Sequence, residues 1–107
     1  ATNAAPVIKL DNTYAGVYRA MADLVVESAL KGDYVRASLH AKILEVAWDR
    51  SEKELKTKDR AKWAEIDDAL DGFIRPVIRH ADEKPTEASI KAAYDEFSTK
   101  LKLTART

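Results

Sequence analysis

The sequence predicts an all-α fold, a single antiparallel up-down-up-down four-helix bundle, from three observations. Glycine and proline number only three each in 107 residues, so little interrupts a helical backbone. Alanine, leucine, lysine and glutamate, all strong helix formers, are plentiful. Apolar residues recur with the helical period in four segments separated by short capping or breaking signals. The chain has the length of one domain, 1–107, with 1–11 and 103–107 expected to be extended or frayed.

Asp11-Asn12-Thr13 offers capping oxygens, so the first helix is expected to start near Thr13. Its buried face reads Tyr14, Val17, Tyr18, Met21, Leu24, Val25 and Ser28. Lys31-Gly32-Asp33 then forms a compact connection, glycine taking the left-handed position and aspartate capping the next helix. For the second helix the expected core stripe is Val35, Leu39, Ile43, Val46 and Ala47, with Trp48 at its margin.

No glycine or proline stands between Asp33 and Asp71. One helix across that stretch would be about 58 Å long, too long for a domain with a radius of gyration near 13 Å. A turn is therefore expected near Thr57-Lys58-Asp59. The rival is a straightened helix in a domain-swapped dimer, so the chain is expected to be a monomer or a homodimer.

The third helix carries Trp63, Ile66, Leu70, Phe73, Ile74, Val77, Ile78 and Ala81 on one face. Pro76 cannot donate its N–H, and its ring presses on the carbonyl of Gly72. A kink is predicted at Gly72/Pro76, with Gly72 leaving room for the ring. Lys84-Pro85-Thr86 ends this segment, and a fourth helix starting near Thr86 presents Ile90, Ala93, Tyr94, Phe97 and Leu101. An offset of 51 residues places Ala37-Ser38-Leu39 on Ala88-Ser89-Ile90 and Val46 on Phe97, which suggests two related hairpins.

Eighteen basic residues balance eighteen acidic ones, so no long-range attraction to nucleic acid or anionic membrane is expected. Charges recur every few positions, which argues against membrane insertion. With no cysteine, disulfides, thiolate metal sites and thiol catalysis are excluded. The start Ala1-Thr2-Asn3-Ala4-Ala5-Pro6 has the small residues that follow a cleaved signal peptide, so a periplasmic or secreted location is expected.

No glycine-rich phosphate loop, nucleophile elbow or zincin motif is present, and the chain is not expected to be an enzyme. Di-iron chemistry needs Glu three residues before each histidine, but Ala37 precedes His40 and Val77 precedes His80. The fourth helix has no histidine to serve as a haem ligand.

The expected function is that of a small exported binding or accessory protein, without cofactor, acting through protein–protein contact. Arg75 and Arg79, four residues apart, form a candidate fork for a partner's carboxylates, and Trp48 a candidate aromatic anchor. The alternative is a periplasmic zinc- or copper-binding bundle. His40 and His80 lie near the end bearing the two short turns, and Glu27 would complete the ligand set.

Overall fold

The computed structural model describes residues 10–106, with side chains over 15–101. Every described element is helical: α1 (Leu10–Leu30), α2 (Tyr34–Lys58), α3 (Arg60–Ile78), α4 (His80–Glu83) and α5 (Glu87–Arg106). The four long helices close into a ring, α1 packing on α2 and α5, and α3 on α2 and α5. Residues 10–13 are already helical, so Asp11-Asn12-Thr13 lies within α1, not ahead of it. At the other end α5 runs to Arg106, past the expected fraying point. The expectations for residues 1–9 and 107 lie outside the described residues.

The connections form where the sequence supplies caps. Gly32 takes φ +80°; its N–H bonds to the Ala29 carbonyl and the Asp33 N–H to that of Ser28, the paired bonds of a Schellman ending. The Asp33 carboxylate then accepts the Arg36 N–H at 3.0 Å and starts α2. Asp59 performs both jobs at the next turn. Its N–H donates to the Leu55 carbonyl, closing α2, while its carboxylate accepts the Lys62 N–H, opening α3. The protein measures 41 Å along its longest axis, so an unbroken helix of about 58 Å has no place in it. Thr86 and Ser89 cap α5 reciprocally, each hydroxyl accepting the other's backbone N–H.

The third segment departs from expectation near its end. Pro76 lies inside α3, which stops at Ile78; Arg79 leaves helical geometry at φ −102°, ψ 36°, and the short α4 begins at His80. A Cβ on Gly72 would meet nothing within 4 Å, and the residue is exposed. The proline ring therefore does not require glycine there.

A larger correction concerns α2. Its buried residues are Ala37, Ala41, Leu44 and Trp48. The expected core stripe instead faces outward: Val35 is 86%, Leu39 58%, Ile43 47% and Val46 51% exposed. Both stripes have helical spacing and lie on roughly opposite sides of α2 at about 100° per residue. Tertiary packing selects the face that sets two alanines beside Leu44 and Trp48. Ala15, Ala22 and Ala29 of α1 share the core with Ala37 and Ala41, and small residues let helix backbones approach closely.

Trp48 anchors the choice. Its ring lies edge-on to Tyr18 at 5.5 Å and stacks with Trp63 at 6.3 Å, and its Nε1–H donates to Asp67 at 2.9 Å. The remaining core comes from Val25 of α1, Ile66, Ala69, Leu70, Phe73, Ile74 and Val77 of α3, and Ile90, Phe97 and Leu101 of α5. The suggested hairpin repeat fails against this pattern. Exposed Leu39 and Val46 would correspond to buried Ile90 and Phe97, and buried Ala37 to exposed Ala88.

Candidate functional site

The outward stripe of α2 is the strongest site feature of the described residues. Val35, Leu39, Ile43 and Val46 follow one another at intervals of four, four and three, within an arc of about 80°. Single exposed apolar side chains are common on protein surfaces, but a continuous row of four on one helix face is not explained that way.

Two shallow grooves follow each other along the row. Val35 and Leu39 line one, with Arg36 and His40 beside them. Ile43 and Val46 line the other together with Met21 of α1, so this groove runs along the α1–α2 junction. Lys42 borders both grooves and Arg50 the second. On α1, Val17 and Leu24 are 43% and 44% exposed and sit within about 60° of Met21 around the helix. The apolar face thus spans two helices.

The residues proposed from sequence are distributed differently. Trp48 is 1% exposed and bonded to Asp67, so it is a core residue and not a surface anchor. Arg75 is exposed but already engaged, 3.3 Å from the Asp71 carboxylate and 3.8 Å from that of Glu83. Arg79 is exposed and ends α3, its N–H bonded to the Arg75 carbonyl.

His80 stacks on Tyr34, ring centroids 4.4 Å apart and 8° from parallel. This contact joins the start of α2 to the start of α4, so the first turn and the α3–α4 break lie at one end of the molecule. His40 is half-buried beside the first groove and Glu27 is exposed. Among the described residues, no group of three or more histidines and carboxylates is placed to hold a metal ion. No described helix is long and apolar enough to cross a membrane.

One polar pair fastens α5 to α1. The Tyr94 hydroxyl donates to the Asp23 carboxylate; this bond, with partial burial, raises the phenol above its ordinary pKa of 10.0. Such a pair suits a structural latch between the two helices.

Sequence reasoning identified the residues of the outward row but assigned them to the core. The detectable signal was that α2 carries two apolar stripes, whereas a helix on the surface of a single domain can bury only one. Comparison with protein-family models, curated proteins and solved structures gives no match.

Proposed function

We propose that this chain is a non-catalytic docking module that binds another protein through the outer face of α2 and the adjoining edge of α1. The observation that carries this reading is the exposure of Val35, Leu39, Ile43 and Val46 in one continuous row. Fully burying a side chain of this kind is worth about 1.5–3 kcal/mol. With Val35 86% and the other three about half exposed, covering the four offers on the order of 4–7 kcal/mol. Association entropy consumes a comparable amount, so a stable complex also needs Val17, Leu24 and the junction groove at Met21.

The finer arrangement we propose for the scaffold is an antiparallel up-down-up-down four-helix bundle with α3 bent at Gly72/Pro76. The ring of helix contacts, the short connections and the donor missing at Pro76 support it. Such a scaffold holds the docking face rigid, so little ordering is required on binding.

Affinity capture from the source cells tests the function, comparing the unmodified chain with Leu39→Asp, Val46→Asp and Arg75→Ala/Arg79→Ala. Proteins retained by the unmodified chain and the arginine variant, but lost from both stripe variants, support docking on α2. Equal recovery with all variants removes α2 as the binding face.

A further inference from the structure

The apolar row has a charge signature that identifies the kind of partner it fits. Arg36, Lys42 and Arg50 stand along it, and Lys53 extends the series one turn further. Lys42 and Arg50 are exposed and have no ion-pair partner among the described residues, while Arg36 lies 3.6 Å from Asp33. Lys42, Arg50 and Lys53 fall within about 60° of the row's centre on α2 and no acid does; Asp49 and Glu54 lie just outside that arc, and Glu27 is exposed one turn beyond Leu24 on α1. A molecule with balanced total charge therefore carries a basic strip, Lys42, Arg50 and Lys53, along the α2 side of its exposed apolar face.

We propose that this face receives an amphipathic α-helix of another protein, its apolar stripe flanked by aspartate and glutamate. This rests on the docking reading above and names the chemistry of the partner. The two grooves that follow each other along the α2 row, the second opening onto α1 at Met21, suit the side-chain ridges of a third helix laid along α2, the packing that orders helices in cores and in helix-in-groove recognition. Acidic flanks would neutralise Lys42 and Arg50 at the rim. A second copy fits less well, because twofold pairing brings one basic rim against another and like charges disfavour that approach. An anionic bilayer also fits less well, since among the residues whose side chains are described the face has no tryptophan, phenylalanine or tyrosine to sit at an interface.

Two synthetic helical peptides of about 18 residues provide the test. They share one leucine stripe and differ only in flanking residues, all glutamate or all lysine. Binding to the full chain is followed by fluorescence anisotropy, and the contact surface is mapped by amide chemical shifts. The expected result is binding of the glutamate peptide about tenfold tighter than the lysine peptide, the sum of a few rim ion pairs. Raising salt from about 50 to about 500 mM should narrow the difference. Shifts should centre on residues 17–24 and 35–50, and Lys42→Glu/Arg50→Glu should reverse the preference.

Leu39→Asp should weaken both peptides, and Leu39→Ser provides the same check with a smaller perturbation. Core amide shifts report whether each variant stays folded. Equal affinity for the two peptides, with both lost in the Leu39 variants, overturns the acidic partner while leaving docking in place. Binding that ignores Leu39 overturns docking itself. A dimer by light scattering that Leu39→Asp dissolves, or binding to phosphatidylserine vesicles without binding to the glutamate peptide, overturns the proposal in favour of self-pairing or a membrane surface.

Discussion

Gly72 illustrates how a residue's meaning depends on its surroundings. From sequence, glycine four residues before a proline reads as room made for the ring. In the folded protein the position is exposed and a Cβ would touch nothing within 4 Å. Gly72→Ala should therefore stabilise the protein by about 0.5–1 kcal/mol, because alanine loses less backbone entropy in a helix. Thermal unfolding measures this, and a lowered Tm would show that the proline does need glycine beside it.

Tyr94 makes a different prediction at the same scale. Its hydrogen bond to Asp23 keeps the phenol protonated above pH 10.0, so the folded state holds this proton more tightly than the unfolded chain. The associated stability is complete below about pH 10 and declines as pH rises through the elevated pKa. Urea unfolding across that range should show a shallower alkaline decline for Tyr94→Phe than for the unmodified protein. Identical slopes would mean that the bond does not couple to folding.

At the scale of the element, α2 has two apolar stripes and the fold uses the less hydrophobic one. Trp48→Ala should destabilise by about 3–5 kcal/mol, the range for deleting a buried large aromatic side chain. Leu39→Ala should remain within about 0.5 kcal/mol because its side chain is already largely solvated. Ala41→Leu should cost about 1–3 kcal/mol by overpacking the alanine seam between α1 and α2. Denaturant unfolding of the three variants discriminates the faces; a large loss at Leu39 with little at Trp48 would restore the stripe expected from sequence. The helical extent of α2 was legible from residue spacing. Its rotation was not, because two faces with the same period leave the choice to neighbours distant in sequence.

For the whole molecule, the decisive connection is the single residue between α2 and α3. Asp59 sits in extended geometry at φ −160°, ψ 94° and satisfies groups on both flanking helices. Alanine there removes a cap worth about 1 kcal/mol and favours continuing the helix. Asp59→Ala should raise the fraction of domain-swapped dimer over that of the unmodified protein, as measured by light scattering at matched concentration. A variant that stays monomeric with only a lower Tm would limit Asp59 to local capping. The basic rim of α2 is also a whole-molecule property. A formal charge of zero conceals it, because balance over 107 residues says nothing about balance on one face.

The sequence by itself determined the helical class, the turns at Gly32-Asp33, Asp59 and Thr86, and the core faces of α3 and α5. Those features depend on local capping chemistry and on a single dominant period. Only the tertiary structure decided which side of α2 is buried, that Trp48 is core, and that Val35, Leu39, Ile43 and Val46 meet solvent. The physical reason is that burial is a competition for limited space between helices. The alanine seam and the Trp48–Asp67 contact join residues far apart in the chain, and together they turn the Val35, Leu39, Ile43 and Val46 stripe outward.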